Sequence, residues 1–326
     1  MASYGIFLSA IAPYNPGDDP MLIPRNMPMS LRHSHGLQEP GRRDYVNIVL
    51  AAFNSFRSIT PVGYLSTPIT SGQLLYQVLQ SYGVKDLNEL VAIDEDILIR
   101  EIITPNALSG IALGDKLARD WKIPIIVPPV FESERWRKYN RDWEEKDYMH
   151  IWYQVIREMV GHMIMRNGWH YSNGGVSEFV HAVQLRLRLL PDLSGSSNNT
   201  FPKYLPFDLY LDSFAELEIE FPELPMIITD QYGDIITIEA GVELITTAII
   251  NLYNRKFKPQ KLLVALMHLM GMIYSVNSHL EDGKYEVAGI SAPNNCFNMD
   301  NINNYWLKAI SISGENDREI YQICHS

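Results

Sequence analysis

The chain has 326 residues, with 27 Lys and Arg against 38 Asp and Glu, a formal charge of −11 and a pI near 5.3. This excess of acid argues against broad, sequence-independent binding to nucleic acid or an anionic membrane, which needs clustered cations, but it leaves room for a small anion in one local pocket. An apolar fraction of 46% excludes wholesale disorder, and the length suits two ordinary domains or one domain with large additions.

Residues 13–43 are rich in Pro, Gly, Asn, Met and Arg and follow neither a period of two nor one of 3.6, so they read as an extended arm. Apolar residues at helical spacing predict a helix over 44–57. The short apolar run VGYLSTPI (62–69) reads as a buried strand running into a loop at Ser66-Thr67-Pro68. Helices are expected over 73–82 and, as an insertion with an acidic turn at Asp94-Glu95-Asp96, over 86–103. Pro105 suits the first turn of the next helix, through residue 121. IPIIVPPVF (123–131) reads as a second buried strand, broken by Pro128-Pro129. After a polar stretch (132–146) come a helix capped by Asp147, a third strand over 162–169, and a loop opening into a helix over 172–189.

Strands alternating with helices between 62 and 190 predict a parallel α/β sheet, where ligands bind beyond the carboxyl ends of the strands. Residues 191–205 read as a linker. Beyond it, a hairpin is expected over 226–239 around Tyr232-Gly233-Asp234, followed by two strongly apolar helices, the second over 259–276. The final ~40 residues are Asn-rich and weakly patterned. The expected organisation is an arm and helix over 1–60, an α/β domain over 61–192, and a mostly helical region over 200–326 that covers the core or makes an oligomer contact.

The most informative stretch runs from Asn167 to Ala182, where a strand ends in a Gly-rich loop that opens a helix. Gly174 and Gly175 would let backbone N–H groups approach a ligand, and a helix N-terminus favours phosphate or carboxylate. Glu178 would sit about one turn into that helix, where a fixed carboxylate can attack or stabilise an electron-poor sugar carbon. Glu in the first turn of a helix is equally an ordinary complement to the helix dipole.

Gly168, Trp169, Ser172, Gly174, Glu178 and Ala182 stand at the places of a G-W-x-x-S-x-G-x-x-x-E-x-x-x-A pattern. That pattern resembles the signature of the nucleoside 2-deoxyribosyltransferase-like superfamily. The early segment Tyr64 to Gly72 is similar to that family's first strand and its sugar- or phosphate-proximal loop, and the helix from Asp147 resembles the segment placed before the third strand. The resemblance covers residues ~62–190. It implies a flavodoxin-like or Rossmann-like parallel sheet with helices on both faces, and cleavage or exchange of an N-glycosidic bond through a covalent intermediate on Glu178. It further implies that Ser172, Asn173, Gly174 and Gly175 line the sugar or 5′-phosphate end, with Ser66, Thr67 and Pro68 on the opposite wall. Where family members often carry an Asp on the helix before the third strand, this chain has Gln154 or a near neighbour, and no carboxylate.

Trp169 or Tyr171 would stack on the departing base, or Trp169 would serve as a core aromatic. His181, three residues after Glu178 on the same helix face, and His170 are candidates to protonate the base; a structural role is the other reading of each. No HExxH or Cys/His cluster appears among the nine histidines, so no metal and no cofactor is expected. Arg135 or Arg137 could contact a phosphate, and Arg186 and Arg188 suit the end of the Glu178 helix. Cys296 and Cys324, without CxxC spacing, read as thiols of a reducing compartment. No apolar run reaches the ~18–20 residues of a membrane span, and the N-terminus lacks a basic region of the kind that opens a signal peptide. The expected setting is cytoplasmic, with Asn198 unglycosylated; the expected partners are a small nucleoside or nucleotide and further copies of the chain, with no polymeric nucleic acid and no membrane. Competing expectations on the same fold are a non-catalytic nucleotide sensor and an assembly protein.

Overall fold

The apolar run after residue 61 forms β1, Val62–Ser66, with every residue buried. Burial on both faces is what a strand inside a layered α/β structure requires. The computed structural model describes residues 50–53, 62–94, 96–130, 145–188, 226–281 and 298–313. Within them, β1 pairs in parallel with β2, Ile125–Ile126, on one side and β3, Val160–Met165, on the other; β4, Ile227–Asp230, pairs in parallel with β3. The strand order is β2-β1-β3-β4, so progress across the sheet reverses between β1 and β3.

The helices follow as α1 (Gln73–Tyr82), α2 (Leu87–Ile93), α3 (Thr104–Trp121), α4 (Glu145–Met159), α5 (Asn173–Arg188), α6 (Ile238–Asn254), α7 (Gln260–Glu281) and α8 (Met299–Ser313). Asp86 caps α2 by accepting the N–H groups of Asn88 and Glu89. A π-helical stretch, Leu98–Ile103, leads without a break into α3. Pro105 explains the widened turn: it offers no N–H, and its ring would press on the carbonyl four residues back in a regular helix.

Alternation along the strands assigns each face of the sheet. Leu65 and Ile164 pack with Leu117 of α3 and Val127 on one face. Val62, Tyr64, Met163 and Met165 turn to the other, into a large cluster with residues of α4, α5, α6, α7 and α8. Phe53, in a helical turn at 50–53, reaches this cluster edge-on to Trp152, with ring centroids 5.9 Å apart.

Several expectations are corrected in detail. The second strand is only two residues long, because Pro128–Val130 forms a 3₁₀ turn in which proline supplies no ladder donor. The third strand spans 160–165 rather than 162–169. It ends where Gly168 adopts φ 82°, a left-handed conformation that suits glycine and turns the chain into a 3₁₀ turn, Trp169–Tyr171. Asp147 is the third residue of α4, not its cap. Gly174 and Gly175 lie in the first turn of α5 rather than in a loop before it. The expected hairpin is instead a fourth parallel strand followed by a turn and a single antiparallel bridge, Thr229 to Ile235. The Asn-rich tail contains α8, whose Ile302, Trp306 and Ala309 recur at helical spacing and are buried. Among the described residues no single helix is long and apolar enough to cross a membrane. The N-terminal arm, the 191–205 linker, Cys296, Cys324, Asn198, Arg135 and Arg137 lie outside the described residues.

Candidate active site

Tyr64 and Ser66 are two residues apart on β1, so the pleat directs both toward the face that α5 covers. On α5, Val176, Phe179, Val180 and Val183 are buried against the sheet and the helices beside it. Glu178 lies within this stripe and is only 6% exposed. Its carboxylate is held at both oxygens: Tyr64 Oη donates to Oε1 at 2.6 Å, and Ser66 Oγ donates to Oε2 at 2.5 Å. Burial pushes the Glu178 pKa up from 4.5 to about 7, while the bonds from Ser66 and Tyr64 pull it down. Near neutral pH the group is divided between carboxylate and acid, the range in which a side chain can serve either as nucleophile or as proton carrier.

The turn between β3 and α5 is tied to the loop after β1. The Arg166 N–H donates to the Ser66 carbonyl at 3.3 Å, and Ser172 Oγ lies 2.8 Å from Ser71 Oγ. Ser172 also caps α5, its Oγ accepting the Gly175 N–H at 3.2 Å. A Cβ on Gly175 would lie 2.8 Å from the Trp169 carbonyl oxygen, so a glycine there lets the turn fold down onto the helix. At Gly174 the nearest atoms to such a Cβ are 3.9 Å away.

The expected site residues divide. Ser66 and Glu178 are in direct contact. Thr67 is buried, with its hydroxyl 3.3 Å from the Leu65 carbonyl, and Pro68 is buried beside it. Asn173 and Gly174 are half-buried at the start of α5. Trp169 is a core residue, 2% exposed, with its ring 4.6 Å from Phe179; a base could reach its face only if the core opened. Tyr171 is half-buried and accepts a hydrogen bond from Asn251 of α6 at 2.9 Å, linking the turn to the C-terminal helices. His181 turns toward α4, its Nε2 3.2 Å from the Tyr153 carbonyl and its ring 4.5 Å from Tyr153. His170 Nδ1 is buried without a hydrogen-bond partner, and burial lowers its pKa to about 4, so the ring is neutral at pH 7. Gln154 is buried and bonded by Arg157, which also pairs with Glu158 at 3.0 Å.

Two residues of this region are given no site role by the sequence reading. Tyr64 had a readable signal: a polar-tipped aromatic in an apolar strand, on the same side as Ser66. Arg166, directly after β3, bonds Asn106 and Ser109 of α3. Among the described residues, no group of three or more His, Cys, Asp or Glu side chains is placed to hold a metal. No family model matches the chain, and neither the curated proteins nor the solved structures searched contain a match.

Proposed function

We propose that the chain cleaves or exchanges the N-glycosidic bond of a nucleoside or nucleotide, with Glu178 as nucleophile. The carrying observation is the Tyr64–Glu178–Ser66 arrangement at the carboxyl end of β1, beside the reversal of strand order. The order β2-β1-β3-β4, all parallel, with side chains packed on both faces, supports the finer reading of a flavodoxin-like sheet.

The chemistry follows from the carboxylate. As the bond from the anomeric carbon to the base nitrogen breaks, positive charge grows on the sugar, and a fixed anion stabilises it. A Glu178 oxygen bonds to that carbon. The base leaves with the electron pair and takes a proton from solvent. Water or a second base then attacks the same carbon, frees the carboxylate and gives up a proton. Tyr64 and Ser66 orient the carboxylate and favour its ionised form against the larger effect of burial; either must release its oxygen for attack. The reading carries with it a soluble cytoplasmic protein working as a homo-oligomer on a small molecule, without polymeric nucleic acid.

Incubation with a panel of nucleosides and nucleoside 5′-monophosphates, followed by chromatography, tests this. Free base should appear with the native chain and fall by roughly 10³-fold or more in Glu178→Gln. Full base release by that variant, or none by the native chain, refutes the proposal. The burial of Glu178, with both oxygens engaged, favours a second reading, a nucleotide-binding or assembly protein without turnover. Ligand-dependent thermal stabilisation with no free base would support it.

A further inference from the structure

Arg166 follows the last residue of β3 and lies beside Ser66, the residue that holds Glu178. Alternation sends its side chain the opposite way from Met165, onto the α3 face. There Nη2 donates to Ser109 Oγ at 2.8 Å and Nη1 to the Asn106 carbonyl at 3.3 Å. Both partners are neutral. Arg100 holds Asp94 and Glu101, and Arg157 holds Glu158; among the described residues Arg166 holds no carboxylate. Asp230, in register with Met165, is turned into its own loop, where it accepts the N–H groups of Tyr232 and Asp234.

The guanidinium is half-buried, and burial lowers its pKa, yet a guanidinium keeps its proton in proteins. The result is a partly desolvated positive charge, with donors to spare, in a chain where acids outnumber bases. Water and two neutral oxygens solvate this charge, and among the described residues an anion would be the first opposite charge it meets. Its planar fork matches phosphate oxygens. Because Ser109 Oγ accepts from Arg166, its own hydroxyl proton is free to donate to the same anion. The close approach of α3 makes this geometry: a Cβ on Gly110 would lie 2.6 Å from Thr67 Cγ2, so only a glycine lets the helix press on the end of β1.

From these contacts we infer that Arg166, with Ser109, binds the phosphate of a nucleoside 5′-monophosphate, which is therefore the substrate class; this rests on the reading of the Glu178 site given above. Glu178 and Arg166 approach the ends of β1 and β3 from opposite faces of the sheet. A nucleotide laid across that edge would put its anomeric carbon at Glu178 and its 5′-phosphate, at the far side of the sugar, at Arg166. This moves the anion away from the N-terminus of α5, where Ser172 already takes the Gly175 N–H.

The test is equilibrium binding of matched nucleosides and 5′-monophosphates to Glu178→Gln, with and without Arg166→Gln, and with inorganic phosphate as competitor. With Arg166 present, at least one monophosphate should bind roughly 10- to 100-fold more tightly than its nucleoside, as expected for charge-assisted hydrogen bonds. Phosphate should compete with it. Arg166→Gln should bring the ratio to within about threefold, with nucleoside affinity unchanged, and Arg166→Lys should restore part of it. Circular dichroism checks the fold; if Arg166→Gln does not fold, Ser109→Ala and Arg166→Lys must each lower the ratio. A ratio near one with Arg166 intact, a ratio that survives its removal, or no monophosphate binding overturns the inference. Base release from free nucleosides with no phosphate preference sinks this inference and leaves the proposed function standing. Arg166-dependent phosphate binding without base release does the reverse.

Discussion

Replacing Glu178 with Gln should make the protein more stable, and by an amount that depends on pH. Burial raises the carboxyl pKa from 4.5 to about 7, so the folded state prefers the acid form. For such a group the native state binds more protons than the unfolded chain between these two values. Its favourable contribution is therefore complete below pH 4.5, and it is lost as pH rises through about 7. Each pKa unit is worth about 1.4 kcal/mol, so the native chain carries a burden on the order of 3 kcal/mol above neutrality. Gln has no charge to desolvate and can still accept from one hydroxyl and donate to the other. Thermal or urea unfolding of both proteins from pH 5 to 8.5 measures the difference. The variant should gain on the native chain as pH rises through the window and level off above it. Taking the difference cancels His150, His162 and His170, whose pKa values burial lowers in both proteins. A difference that stays flat across the window would falsify the raised pKa and, with it, the view of Glu178 as a buried, poised carboxyl.

Two further substitutions probe the site's supports. Tyr64→Phe removes the donor to Glu178 Oε1; loss of that bond should raise the carboxyl pKa further and cost about 1–3 kcal/mol of stability. Because the reaction needs the carboxylate, the acid limb of the pH–rate profile should move to higher pH, and an unmoved limb would show that Tyr64 does not hold the reacting group. Gly241→Ala on α6 would set a Cβ 2.1 Å from the Phe179 ring, next to Glu178. Overpacking should cost about 1–3 kcal/mol despite the better helix propensity of Ala. Phe179→Leu should recover part of that loss in a double-mutant cycle, and strict additivity in thermal melts would show that the two residues do not press on each other.

Much of the local structure was legible because it depends on neighbours in the chain. The short apolar run at Val62–Ser66 and the helical pattern of 73–82 each depend on residues close in the chain, and the first and last residues of α1 match the sequence reading. The turn at Gly168 and the start of α5 were legible from glycine and serine chemistry, though two glycines read as loop proved to be helix. The 3.6 repeat of Ile302, Trp306 and Ala309 was also present but hidden among asparagines.

The sequence by itself determined that strands alternate with helices over 62–190, and that Glu178 stands on the helix after the third strand. Tertiary structure alone decided what that carboxylate touches. Tyr64 and Glu178 are 114 residues apart, and no local pattern states which strand a helix will cover. The same holds for β4, which crosses an apparent domain boundary to join β3, and for His181, drawn to the Tyr153 carbonyl rather than toward Glu178. It holds for Arg166, which meets no carboxylate among the described residues: that follows from where those residues folded, not from how many acids the chain has. The −11 charge is a sum over the whole sequence; a half-buried guanidinium bonded to two neutral oxygens is a property of packing.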